Sequence, residues 1–143
     1  MDKLKSAQKY EYEIQIKENH LDTFGHVNNA VYLQLCEEAR WEIITENGFG
    51  IQEIQQLGIG PVILEVNIKF QKELKLREKI KISTQCIAIR GKVLEIQHEI
   101  MNEKNEICSI ALFTIGIFDT KKRKIISPIP LWYKSIGVEI EEY

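Results

Sequence analysis

The sequence predicts an α+β domain, an antiparallel sheet with one long helix packed on its face. Three observations carry that prediction. Residues 30–48 repeat apolar side chains at helical spacing. From Pro61 onward four stretches are rich in β-branched residues, as strands are. Turn signals separate the last three of them, which favours consecutive antiparallel hairpins. Strands grouped after a single helix, without regular alternation of the two, build a sheet with its helix to one side.

The elements follow in order. YEYEIQIK (10–17) alternates large apolar with charged or polar residues, the period of a half-buried strand. The polar stretch HLDTFGHVNNAVYL (20–33) leads into the helix AVYLQLCEEARWEIITENG (30–48). Val31, Leu35, Cys36, Ala39, Ile43 and Ile44 recur at helical spacing there, while Glu37, Glu38, Arg40 and Glu42 fall mostly elsewhere. Asn28 or Asn29 suits the N-cap, and Gly48 suits the C-terminal stop. IQEIQQLG (51–58) reads as one short extra helix. The strands are PVILEVNIKFQ (61–71), EKIKISTQCIAI (78–89), VLEIQHEIM (93–101) and ICSIALFTIGIF (107–118). Arg90-Gly91-Lys92 and Asn102-Glu103-Lys104-Asn105 are the turns between the last three. The continuous apolar strand 107–118 belongs in the middle of the sheet, covered on both faces. Trp41 broadens the helix's apolar arc, so a strongly curved sheet can wrap it. No linker or repeat divides the chain, and 143 residues suit a single domain over 1–143.

Composition narrows the function. Hydrophobic residues at 44% and charged residues at 28% match a soluble globular protein. A net charge of -2 gives no electrostatic reason to expect nucleic acid as a partner. The charged N-terminal stretch has no apolar core, so no secretory signal is expected. The longest apolar run is too short to span a bilayer as a helix, so no membrane partner is expected. Cys36, Cys86 and Cys108 lie far apart, as buried thiols of a reducing compartment do, and a cytoplasmic location follows.

The chemistry concentrates in residues 20–33. Asp, Asn and Gly gather before helices because they turn and cap the chain, and that accounts for Gly25, Asn28 and Asn29. A second reading starts from Asp22. A carboxylate a few residues ahead of a helix start lies near free backbone N–H groups and the positive end of the helix dipole. Such amides can hold a carbonyl oxygen as it becomes an oxyanion, while the carboxylate attacks the carbon or activates water. A thioester suits this pairing, because its thiolate leaves with little protonation. Gly25 lets the backbone approach a substrate closely.

The run Asp22-Thr23-Phe24-Gly25-His26-Val27-Asn28-Asn29, followed by Ala30, Val31, Tyr32 and an acidic helix, resembles the hot-dog-fold thioesterases of the 4-hydroxybenzoyl-CoA thioesterase type. The order of strand, motif, long helix and four strands ending near ISPIP (126–130) is similar too, so the resemblance covers nearly all of the chain. It implies a curved antiparallel sheet of about five strands wrapped around one long central helix. It also implies edge-to-edge pairing into a homodimer or homotetramer with active sites at the subunit interface. The implied activity is hydrolysis of an acyl-CoA to free acid and CoA, with coenzyme A entering only as part of the substrate and no other cofactor.

Residue by residue, the resemblance makes Asp22 the nucleophile or general base and the Asn29 backbone N–H the donor that polarises the thioester carbonyl. Tyr32 corresponds to a pocket position, with a packing role open to it as well. Gly25 and His26 belong to the substrate-contacting set, His26 chiefly as loop support. Many relatives carry a second acid two residues before the catalytic one; here that position is His20. A separate branch of hot-dog thioesterases uses a glutamate on the central helix, which brings in Glu37 and Glu38. Arg90 and Lys92 flank a hairpin turn where similar enzymes meet the coenzyme A phosphates, although turns are charged simply because they are wet. KKRK (121–124) has the same two readings. His20, His26 and His98 show no metal-ligand spacing, and His98 alternates within a strand as a structural histidine does. Two further functions stay open: a non-catalytic acyl-CoA-binding domain, and a hydratase or dehydratase. Carrier-protein esters also remain possible substrates.

Overall fold

The computed structural model describes residues 1–142, and all that follows concerns them. Eight strands and three α-helices follow in the order β1 (Leu4–Ala7), β2 (Tyr10–Gln15), α1 (Asn29–Glu46), α2 (Ile51–Leu57), β3 (Ile59–Phe70), β4 (Lys79–Arg90), β5 (Val93–Met101), β6 (Ile107–Asp119), β7 (Lys124–Ile126), α3 (Pro130–Ser135) and β8 (Val138–Ile140). The main sheet runs β2-β4-β5-β6-β3, with β7 added to β6, and every pairing is antiparallel. The Gly91 turn (φ +61°) closes the β4–β5 hairpin, so the three consecutive strands meander as the spacing predicted.

Each of the expected elements is present, and the structure adds three strands and one α-helix. β1 and β8 pair as a separate two-stranded ribbon, β7 extends β6, and α3 starts at Pro130 beyond the expected last strand. The sheet therefore has six strands where about five were expected. β6 lies in the interior of the sheet, as expected, but only one of its faces is fully covered. Cys108, Ala111, Phe113, Ile115 and Ile117 are buried, whereas Ile110, Leu112 and Thr114 on the other face are half-buried.

Helix α1 supplies the other wall of the core. Tyr32, Leu35, Cys36, Ala39, Ile43 and Ile44 are buried along it, and Asn47 with the left-handed Gly48 (φ +93°) ends it. Arg40 corrects the sequence reading. It stands four residues after Cys36 and three before Ile43, inside the apolar stripe, and it is only 6% exposed. Its Nη1 donates to His98 Nε2 (3.0 Å), and its guanidinium lies over the Phe113 ring (4.6 Å). Arginine has no acceptor to offer, so Nε2 of His98 carries no proton. The proton sits on Nδ1 and donates to Thr84 Oγ1 at 2.9 Å. His98 is thus the satisfied structural histidine that its strand position suggested.

Burial, and then the Arg40 charge, hold the His98 pKa well below its usual value. Unfolded chains bind that proton near pH 6.5, and the folded protein does not. The contribution is complete above the unfolded pKa and is lost as pH falls toward the folded one. Urea unfolding at pH 7.5 and at pH 5.5 is expected to show lower stability at the acid pH. This group's share approaches about 1.4 kcal/mol per pH unit, and His98→Gln should flatten the dependence.

Candidate active site

The stretch that precedes α1 folds into a closed turn. A short 3-10 segment, Glu18–His20, delivers the chain to Leu21, which bridges to Val27. Asp22 N–H donates to the His26 carbonyl (2.7 Å), and Gly25 N–H donates to the Asp22 carbonyl (3.1 Å). Asp22 Oδ1 accepts from the N–H groups of Phe24 (2.9 Å) and His26 (3.1 Å). Such side-chain-to-backbone bonds are the local chemistry for which Asp is favoured in turns. Gly25 sits at φ +79°, a left-handed conformation that side chains with a Cβ resist. Asn28 N–H then donates to the His20 carbonyl (3.2 Å), which ties both arms of the turn together.

Asn28 is the N-cap, its carboxamide oxygen accepting from Ala30 N–H at 2.8 Å. Asn29 is the first helical residue, and among the described residues nothing accepts from its N–H. A lone amide at the positive end of an 18-residue helix is what an incoming carbonyl oxygen requires. The half-buried Asp22 lies one residue beyond the Leu21–Val27 bridge, opposite His26, and Asn29 lies two residues past Val27 where the chain enters the helix.

Beside the turn lies a shallow cleft of about 320 Å³, lined by His26, Val27, Tyr32, Phe70, Gln71, Lys72 and Glu73. Tyr32 is buried, with its ring edge-on to Phe70 at 5.0 Å. Burial raises its hydroxyl pKa, opposed by a hydrogen bond to the Leu74 backbone. Tyr32 thus packs on Phe70 and also forms part of the cleft wall. Asp22 does not line this cleft, and only its Oδ2 is left unengaged by the turn. A larger cavity, about 710 Å³, lies elsewhere, between the β1–β8 ribbon and α3.

The remaining candidates lie apart. Arg90 and Lys92 flank the β4–β5 turn, and Arg90 Nε is paired with Glu95 at 2.6 Å. The register places that turn at the β3 end near Gly60, whereas the cleft lies at the Phe70 end. At about 3.3 Å per residue, the two are more than about 20 Å apart in one chain. Glu37 and Glu38 sit on the exposed side of α1. Glu38 meets Tyr12, whose hydroxyl is pushed up to about 12, by burial first and then by this acid. The lysines of 121–124 form an exposed turn, with the Lys121 and Lys122 N–H groups bonded to Asp119. Sequence reasoning missed Phe70 and Glu73, since nothing in a charged loop after a strand marks it as a cleft wall.

Residues 16–135 match the model of the thioesterase-like superfamily. The chain belongs to that superfamily, and its fold is the hot-dog fold. The long-chain acyl-CoA thioesterase FadM of Escherichia coli is 31% identical over 116 residues, 80% of this chain and 87% of FadM. The acyl-acyl carrier protein thioesterase ATL3 of Arabidopsis thaliana is 27% identical, over 83% of this chain and 63% of its own. Among solved structures, the probable thioesterase YbaW of Escherichia coli superposes with a TM-score of 0.77 at 27% identity, covering 89% of this chain and 98% of that one.

Gly25 is a test of how the turn is held. An added Cβ meets no atom within 4 Å, so any penalty of Gly25→Ala arises from the backbone alone. Thermal or urea unfolding should show a loss of about 1–2 kcal/mol. Gly25→Asn should recover part of it, because Asn tolerates the left-handed region.

Proposed function

We propose that this thioesterase-superfamily protein hydrolyses acyl-CoA thioesters at the turn before α1, with Asp22 as the reacting acid. One observation supports this above all: the unengaged Asp22 Oδ2 and the unpartnered Asn29 N–H belong to one hydrogen-bonded turn. Two backbone amides on Oδ1 fix the carboxylate's orientation, which prepares Oδ2 for its role without further ordering. The thioester carbonyl oxygen points at the Asn29 N–H, whose dipole favours the developing negative charge. As general base, Asp22 takes a proton from water while the water oxygen bonds to the carbonyl carbon. The C–S bond then breaks and the thiolate leaves. As nucleophile, Oδ2 itself forms the new C–O bond, the thiolate leaves, and water hydrolyses the resulting anhydride. His20 in place of a second acid leaves Asp22 as the one carboxylate of the motif.

A homodimer completes the site in this reading. β3 is a 12-residue edge strand with Ile63, Leu64 and Phe70 exposed, an edge that invites a partner. Antiparallel pairing of two such edges carries the β4–β5 turn of one subunit toward the Phe70 end of the other. That places the partner's Arg90 and Lys92 to meet coenzyme A phosphates, which no single chain can do across its own length. Gly25 and His26 line the approach. The three cysteines are free and buried, which fits a reducing compartment such as the cytoplasm.

Release of free thiol from a panel of acyl-CoAs of graded chain length tests the activity. Wild-type protein should turn over at least one ester, and Asp22→Asn should lower kcat by about two to four orders of magnitude with the fold intact. Near-normal activity in Asp22→Asn removes the assignment; tight binding without hydrolysis by wild type favours a sensor. Acyl-carrier protein in the same panel decides between the two thioester classes named by the relatives. Sedimentation of Leu64→Lys should show monomers where wild type is dimeric.

A further inference from the structure

The loop after β3 is anchored at almost every residue. Phe70 packs edge-on against Tyr32. The N–H groups of Gln71 and Lys72 both donate to the Cys108 carbonyl, at 2.8 and 3.1 Å. The Lys72 ammonium pairs with Glu106. Leu74 is a plug, 1% exposed, and its backbone holds the Tyr32 hydroxyl. The Glu73 side chain makes no contact within its own loop; it points across the cleft, with Oε1 3.7 Å from His26 Nε2. The other partner is equally fixed. The His26 carbonyl accepts from Asp22 N–H, and its own N–H donates to the Asp22 carboxylate.

We infer that Glu73 is a positioning residue for His26, and that the pair orients the water or thioester presented to Asp22. This rests on the proposed hydrolysis. In the neutral ring, a carboxylate facing Nε2 favours the proton on that nitrogen, and Nδ1 is then an acceptor for a ligand. Contacts of this kind commonly sit long in an unliganded site and shorten when substrate is bound. A water donating one O–H to Asp22 Oδ2 and the other to His26 Nδ1 has its lone pair free for the carbonyl carbon. The proton still passes to Asp22, so His26 contributes geometry and no covalent step.

Steady-state kinetics on the best ester of the acyl-CoA panel decides the matter. Glu73→Ala should lower kcat about ten- to a hundredfold with KM within about twofold, as misplacement near a reacting centre does. Glu73→Gln should restore most of the rate, because its amide oxygen can accept from Nε2 when the contact shortens in the liganded site. His26→Ala should lose as much as Glu73→Ala, and the double variant should be no worse than His26→Ala, since the two act as one unit. Both residues are more than half exposed, so the variants should keep the wild-type melting temperature. Unchanged kcat in Glu73→Ala, additive losses in the double variant, or an effect on KM alone would overturn the inference. Asp22→Asn, run alongside, separates the outcomes: if it is inactive while Glu73→Ala is normal, only this inference falls. If Asp22→Asn is fully active, the underlying reading falls with it.

Discussion

An 18-residue helix begins with backbone N–H groups that it cannot satisfy itself, and α1 must begin where its apolar stripe can meet the sheet. The Asp22–Asn29 turn answers both demands. Leu21 and Val27 pair across it, Asn28 caps one amide, and the chain enters the helix in register with the core. Tyr32, one turn into α1, then sets Phe70 and Leu74, so the loop after β3 takes its position from the same helix. The cleft is a by-product of that entry geometry: its walls are the turn, the first turn of the helix, and the loop that the helix holds down.

Deeper along α1, the core admits one cation. Arg40 is enclosed among His98, Thr84 and Phe113, with a neutral imidazole and an aromatic face as its neighbours. Burying a charge with no carboxylate in ion-pair contact is expensive, and replacing such groups by apolar ones is often stabilising in other proteins. What the arrangement offers is directionality. The Nη1–Nε2 bond adds a directional contact between α1 and β5 to the non-directional apolar packing of Leu35, Ile43 and Ile44. The packing of the helix over the sheet is therefore specified by polar geometry as well as by apolar area.

The sheet and helix were legible because their signals are periodic. YEYEIQ alternates, the β4–β6 stretches are β-branched and separated by turn residues, and all appear within two residues of their expected ends. β1, β7 and β8 are three or four residues long and carry too little pattern to stand out. Arg40 was misplaced by residue type, although its spacing from Cys36 and Ile43 put it on the buried face. The motif was legible as a turn and a cap from Asp22, Gly25 and Asn28 alone. Glu73 was not, because its place depends on Tyr32 and Cys108 gripping a loop that is distant in sequence.

The two edges of the main sheet are unlike. β3 offers 12 residues with apolar side chains exposed, while β2 offers six and carries Glu11 and Glu13 outward. A sheet that was adhesive at both margins would add copy after copy and grow into a fibre. With one margin short and acidic and the other long and apolar, the two edges are unequal templates for adding a strand, and growth at both ends is disfavoured from the outset.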